Sequence, residues 1–289
     1  GVVCVSSGTA ALFLALHSLQ GRDKSVCLPV YACSALRNAA RWAGARLTFL
    51  DCHKGTPNIG HDSSAHSNHD LLVLASIFGI PAPLPKSESI VIEDVAQAIG
   101  AKVNGVPIGT RGTVGICSFS ATKIITSGGQ GGAVLTTDDG LLHEIRDFRQ
   151  FDCRNDDKTR FNFLMTDVQA AIGRVQLSRI NEFLDRREEI FSKYKQSGIP
   201  FLESNGDSRV TAARYRAVFT TKRQSSTLQY LRERGISAIV PIHDWELLDQ
   251  LGTYPVARGL TNEAISLPLY PGLKDKEVNK ILACLAGLS

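Results

Sequence analysis

The feature that most limits what this chain can fold into is an alternation through its first half: short apolar runs are separated by helix-like segments. Val2 to Val5 reads as a strand, and Gly8 to Leu19 carries apolar residues at helical spacing. Val26 to Leu28 is a second strand, and Ser34 to Ala43 a helix stopped by Gly44, a residue suited to helix ends. Leu47 to Leu50, Leu71 to Ala75 and Ile90 to Ile92 are further strands, followed by a helical stretch at Val95 to Ile99. Ile116 to Phe119 and Ala133 to Thr136 complete the set, while residues 53–70, rich in His, Gly, Asn and Ser, read as loop enclosing a short helix. Apolar strands joined through helices make sheets that are parallel and covered on both faces. The expected fold class is therefore α/β, with a mostly parallel sheet between helices.

From Thr166 the pattern changes. Val168, Ala171, Ile172, Val175, Leu177, Ile180, Phe183 and Leu184 recur at helical spacing, which predicts one long helix, or two nearly continuous ones, over 167–195. That helix leads from a large domain, residues 1–175, into a smaller α+β domain, residues 176–289. The smaller domain is expected to hold a strand at Tyr215 to Thr220, a helix at Ser226 to Arg234, a strand near Ile239, a strand at Leu267-Pro268-Leu269 and a last helix at Lys276 to Leu285.

Composition narrows the function. The chain has 289 residues, 43% of them hydrophobic, enough to build a core of that size. The net charge of +4 is small, and the basic residues Arg22, Lys24, Arg37, Arg41 and Arg46 are scattered. No nucleic-acid partner is expected, whereas an anionic small molecule is compatible. The seven cysteines are odd in number and form no CxxC pair. They predict reduced, mostly buried thiols in a cytoplasmic protein rather than a disulfide frame or a zinc site. No run of eighteen apolar residues is present and no signal peptide is visible, so no membrane association is expected. Gly1 opens the chain inside a strand, as at a cloning or cleavage boundary.

Three segments carry chemistry. In Ser6-Ser7-Gly8-Thr9-Ala10-Ala11-Leu12 a strand turns into a helix through small polar residues. Free N–H groups at a helix start bind anions, although Ser and Thr also serve there as ordinary caps. In Ile92-Glu93-Asp94-Val95-Ala96-Gln97 an acidic pair ends an apolar strand. The carboxyl ends of strands in open α/β sheets are where ligands bind, and a carboxylate there can pair with a protonated ring nitrogen; taken alone, a helix cap is the favoured reading of Asp94. In Ser118-Phe119-Ser120-Ala121-Thr122-Lys123 a lysine follows a strand and precedes the Gly-rich stretch Gly128 to Gly132. A lysine beside apolar or cationic groups can form a Schiff base. An anion cradle, a strand-end carboxylate and a lysine 29 residues beyond it are together the three handles that pyridoxal 5'-phosphate (PLP) requires.

The chain resembles the DegT/DnrJ/EryC1/StrS family of PLP-dependent sugar aminotransferases, of fold type I. The resemblance covers nearly the whole sequence. It is carried in order by SSGTAAL from Ser6, LPVYACSALRNAARWAGARLTFLDC from Leu28, IEDVAQAIGA from Ile92, SFSATKIITSGGQGG from Ser118, FNFLMTDVQAAIGRVQL from Phe161 and ISLPLYPGL from Ile265. It implies a seven-stranded sheet in the large domain. It also implies that Lys123 holds the cofactor covalently and shuttles a proton, and that Asp94 salt-bridges the pyridine nitrogen. Gln97 would lie near the ring hydroxyl. Ser118, Gly8 and Thr9 would hold the phosphate. Cys33 would stand at the ring face, where many relatives have an aromatic residue. Asn162 would reach across a homodimer interface to the phosphate of the neighbouring subunit. The implied reaction moves an amino group, from glutamate as donor, to a keto sugar linked to a nucleotide.

Departures from the family pattern are also visible. Gln130 stands where a glutamate is common and Leu164 where an arginine is common. Relatives carry several dozen residues before the SGTAAL motif, bordering the substrate site. A lysine rather than a histidine at 123 favours transamination over dehydration. A PLP-dependent sugar dehydratase or other lyase, and an inactive PLP-fold protein that binds or regulates, are the alternatives. Several residues are assigned plain structural roles. His243 is expected to be structural, Trp42 and Trp245 to pack, and Asp185 to Glu189 to form a solvated helix face. His53, His61, His66 and His69 are too irregularly spaced for a metal site, and none is expected.

Overall fold

The computed structural model describes residues 1–60, 69–86, 88–204 and 209–288. Its first half alternates as the sequence predicts: β1 (Val2–Val5), α1 (Gly8–Ser18), β2 (Ser25–Pro29), α2 (Ala35–Trp42), β3 (Arg46–Leu50), β4 (Leu71–Ala75) and β5 (Ile90–Asp94). Two short strands, β6 (Lys102–Val103) and β7 (Val106–Pro107), precede β8 (Val114–Ser118), β9 (Gly132–Leu135) and α3 (Asp139–Phe148). The second half holds α4 (Asp167–Ser178), α5 (Ile180–Lys195), β10 (Val210–Thr211), β11 (Ala217–Thr220), α6 (Gln224–Glu233), α7 (Pro255–Glu263), β12 (Ala264–Leu267) and α8 (Asp275–Ala286).

Seven strands form one sheet in the order β1-β9-β8-β5-β4-β2-β3. The last five in that order run parallel, and β9 is antiparallel to both of its neighbours. Every residue of β4 and of β8 is buried, as strands covered on both faces must be. The consequence for function is geometric. Ser118, Asp94, Ala75 and Pro29 end parallel neighbours and so emerge along one edge of the sheet. The antiparallel β9 turns β1 to point the same way, so Val5 delivers the chain to α1 at that edge. Burying α1 almost all round, from Ala10 to Leu16, fixes its start against the sheet.

A second core is built from α5, β11, β12, α6 and α8 around Phe191, Tyr194, Phe219, Ile265 and Ile281. Strands β11 and β12 pair antiparallel. Val218, Ile242, Leu248 and Leu260 pack instead into the core of the seven-stranded sheet. Residues 175 and 176 both lie within α4, which is separated from α5 by Arg179 alone.

Four expectations change. Val95 to Ile99 is not a helix but successive tight turns, with Ala98 N–H donating to Val95 O and Ala101 N–H to Ala98 O. Gly100, at φ +89°, ends them. The strand expected at Leu267 to Leu269 lies over Ala264–Leu267, since Pro268 has no N–H to give a ladder. Ile239 forms a single bridge with Ser266 rather than a strand. Trp245 is 76% exposed and stacks on His243, and Trp42, although 54% exposed, also packs one face on Phe13 with ring centroids 4.4 Å apart. Cys27, Cys52, Cys117 and Cys284 are buried, while Cys4, Cys33 and Cys153 are exposed; none is in a disulfide. No helix among the described residues is long and apolar enough to cross a membrane. Among the described residues no three His, Cys, Asp or Glu side chains converge as a metal set; His61 and His66 lie outside those residues.

Candidate active site

The acidic pair at the end of β5 divides its labour because neighbouring side chains on a strand face opposite ways. Glu93 is almost completely buried and is taken up by Arg111, which donates from Nε at 2.9 Å and Nη2 at 2.5 Å, with the backbone amides of Arg111 and Gly112 at 2.7 and 2.9 Å. Glu93 is thus fully occupied by structure. Asp94 is 7% exposed, and only one of its oxygens is bonded, Oδ1, accepting from Ala96 N–H at 2.8 Å. Its Oδ2 has no hydrogen-bond partner among the described residues. Burial raises the Asp94 carboxyl above the ordinary carboxylate range; the Ala96 N–H and the charge of Lys123 pull the other way but do not win. A buried carboxylate left this way is an acceptor for a cationic N–H group.

Lys123 stands in the turn after β8. Buried Ile124 and Ile125 anchor the turn, and Phe119, Ala121 and Ser127 tie it back on itself through backbone bonds to Gly131, Gly129 and Phe119. Lys123 and Asp94 line one pocket, with Ala32, Cys33, Ser76, Ile77, Ala96 and Gln97. The lysine Nζ is 5.5 Å from the centre of the Tyr215 ring. Gln97 Oε1 accepts from Phe78 N–H at 2.8 Å and so holds Phe78 at φ +59°. That leaves the Gln97 amide nitrogen without a protein partner among the described residues. Cys33 is exposed and borders the pocket, and nearby Tyr31 is buried, edge-on to Phe78.

The anion cradle forms by close approach. A Cβ on Gly8 would stand 2.7 Å from Ser118 Cβ, and one on Gly132 would stand 2.3 Å from Ser7 O. Glycine at both positions therefore lets the start of α1 sit directly on the ends of β8 and β9. Ser7 caps the helix by accepting from Ala10 N–H at 3.0 Å, and Ser7 O accepts from Ala11 N–H. The amides of Gly8 and Thr9, the first two of the helix, have no partner among the described residues. They combine with Ser118 Oγ into a site with anion chemistry.

These residues fit PLP: a half-bonded buried carboxylate for the ring nitrogen, an amine in the same pocket and two unpartnered amides at a helix start for the phosphate. Asn162 is not brought to this pocket by its own chain. It is exposed, and its Oδ1 accepts from Leu164 N–H at 3.3 Å. Tyr215 and Ser76 belong to the site and were not found from the sequence. Tyr215 meets Lys123 only through folding across 92 positions, so no local pattern marks it. A larger cavity of about 640 Å³, bordered by His53, Leu84, Val106 and Glu203, contains none of the residues expected to carry chemistry.

The chain is similar to known proteins. The profile of the DegT/DnrJ/EryC1/StrS aminotransferase family matches residues 1–286. GDP-perosamine synthase of Escherichia coli O157:H7 is 28% identical, over 95% of this chain and 82% of that protein. A dTDP-4-dehydro-2,3,6-trideoxy-D-glucose 4-aminotransferase of Saccharopolyspora spinosa is 29% identical, over 97% of this chain and 82% of that protein. The structure of S. venezuelae DesV in complex with a ketimine intermediate superposes with a TM-score of 0.88 at 24% identity, over 99% of this chain and 84% of that one, which shows a shared fold.

Proposed function

The chain belongs to the DegT/DnrJ/EryC1/StrS aminotransferase family, and from that premise we propose that it aminates a nucleotide-linked keto sugar with PLP held on Lys123. The observation that carries this is the single pocket shared by Lys123 and the half-bonded, buried Asp94. The names of the relatives, acting on GDP- and dTDP-linked sugars, support the substrate class.

When bound, PLP supplies an aldehyde for amines and a protonated ring that draws electrons from the carbon next to the nitrogen. The protein's own groups do the rest. Asp94 Oδ2 would keep the ring nitrogen protonated, and its burial would strengthen that ion pair. The Gly8 and Thr9 amides and Ser118 Oγ would hold the phosphate. The free amide nitrogen of Gln97 would serve the ring hydroxyl, and Cys33 would border the ring. Lys123 Nζ would hold the cofactor through its aldehyde, and the lysine amine would be the base that takes a proton from the donor's α-carbon. The donor we propose is glutamate.

The exposed apolar residues Val168, Val175 and Leu177 on α4, a helix with no buried residue, support a homodimer. In that assembly Asn162 completes the neighbouring subunit's phosphate site. We place the chain's two units at 1–175 and 176–289 and the protein in the cytoplasm, in keeping with its unpaired cysteines. The test is a half-reaction. The PLP-loaded protein mixed with glutamate alone is expected to yield pyridoxamine phosphate and 2-oxoglutarate in equal amounts. Elimination products without pyridoxamine phosphate would contradict transamination and support a lyase.

A further inference from the structure

A second cleft, of about 240 Å³, is lined by Thr122, Arg187, Tyr215, Arg216, Ser266 and Tyr270 among others. It begins next to Lys123, through Thr122 and Tyr215. No Asp or Glu lines it. Neither of its two arginines, Arg187 and Arg216, pairs with a carboxylate among the described residues.

Arg187 is 5% exposed. It stands in the charged run 185–189 that the sequence predicts to be solvated, yet its Nη1 donates to the carbonyls of Leu269, Tyr215 and Arg214 at 2.8, 3.2 and 3.3 Å. Its Nε is buried with no partner. Burial pulls its guanidinium down to about 10. It braces the backbone beside Arg216 and adds positive charge to the cleft wall. Arg216 has one weak side-chain bond, Nη1 to Ser266 Oγ at 3.3 Å, and its guanidinium carbon is 5.5 Å from the Tyr215 ring centre. Lys123 Nζ is the same distance from that ring, so the two cations are no more than about 11 Å apart. Arg216 is also placed firmly: its N–H donates to Phe78 O at 3.3 Å, and Phe78 is held by Gln97 of the cofactor pocket.

We propose that Arg216 is the specificity residue that recognises a carboxylate of the amino donor, with Arg187 positioning it. This deepens the transaminase reading and rests on it. An amino acid whose nitrogen lies at Lys123 Nζ carries its α-carboxylate roughly 3 Å away, a glutamate side-chain carboxylate roughly 5 Å away, and a charge-assisted hydrogen bond adds about 3 Å, a span of about 6–8 Å inside the bound of about 11 Å. The size is suitable, since the cleft is smaller than the pockets of about 300 Å³ and more that hold larger ligands. An uncompensated guanidinium offers two parallel N–H groups to a carboxylate. The same chemistry recognises a diphosphate, and the test separates the two.

The experiment compares the PLP-loaded parent with Arg216→Gln, which keeps length and polarity, and Arg216→Lys, which keeps charge but not the fork. Binding of 2-oxoglutarate and of inorganic pyrophosphate is measured by calorimetry, and the glutamate half-reaction by stopped flow. Losing the fork is expected to weaken 2-oxoglutarate binding about 10- to 100-fold in Arg216→Gln. The limiting half-reaction rate should change far less than the glutamate concentration giving half of it, and Arg216→Lys should fall between. Pyrophosphate binding should be unaltered. Glutamate dependence unchanged in a soluble, PLP-loaded Arg216→Gln protein would overturn the assignment, and so would a loss confined to pyrophosphate. A parent that makes no pyridoxamine phosphate from glutamate would overturn the proposed function itself, a separate outcome.

Discussion

Replacing Asp94 with Asn separates what this carboxylate costs the fold from what it gives the cofactor. In the PLP-free protein Asp94 is buried, accepts one N–H and has a raised pKa caused chiefly by desolvation. A carboxyl whose folded pKa lies above its unfolded value adds stability only while it is protonated. As pH rises from the unfolded carboxylate range, about 4, through the raised native value, that stability is lost, at up to about 1.4 kcal/mol per pH unit. Above the native value the penalty is constant. Asp94→Asn has no proton to lose at this site. Its stability relative to the parent should therefore be greater at pH 8 than at pH 4, by about 2–4 °C in melting temperature for each kcal/mol. With PLP bound the order reverses. Removing one partner of a buried ion pair costs about 3–5 kcal/mol, so PLP affinity should fall by roughly two to four orders of magnitude. Differential scanning calorimetry of the PLP-free proteins across pH, with PLP titrations at pH 8, makes both measurements. Parallel stability profiles for parent and variant, or equal PLP affinities, would refute the reasoning.

Two further outcomes follow from the same geometry. Gly8→Val places atoms where Ser118 already stands, the first of them 2.7 Å from its Cβ, and should push the helix start off the strand ends. Losing one or two charge-assisted bonds to phosphate should cut PLP affinity about 10- to 100-fold while circular dichroism stays unchanged; unaltered affinity would contradict the cradle. Val175→Asp puts a charge on the exposed apolar face of α4 and should shift the protein from dimer to monomer by light scattering, with weaker PLP binding because Asn162 is withdrawn. A variant that stays dimeric would place the interface elsewhere.

Much of the fold was legible because strands buried on both faces leave continuous apolar runs. Leu71 to Ala75 admits few other readings, and the run read as Ile116 to Phe119 marks β8, although the strand begins two residues earlier, at Val114. Lys123 and Asp94 were legible for a related reason: residues at the carboxyl ends of parallel strands meet along one edge however the intervening helices run. What failed had local causes. Val95 and Ala98 are apolar because they pack into a core cluster, and so few positions cannot separate turns from a helix. Helix α3 went unread although Asp138 caps it by accepting from Leu141 N–H, and α7 although a proline opens it. Arg187 looked solvated because its neighbours Arg186 and Glu189 do pair at the surface, 2.7 Å apart. Only the tertiary fold shows that its own side chain turns inward to three carbonyls. Tyr215 and Arg216 reach the site across the whole fold, so the donor cleft had no signature in the chain.

The most direct measurement is borohydride reduction of the PLP-loaded protein, followed by peptide mass spectrometry. Reduction should attach one pyridoxyl group per chain, at Lys123 alone, and Lys123→Ala should take up none. Label on another lysine, or none on a protein that transaminates, would contradict the assignment of the covalent bond to Lys123.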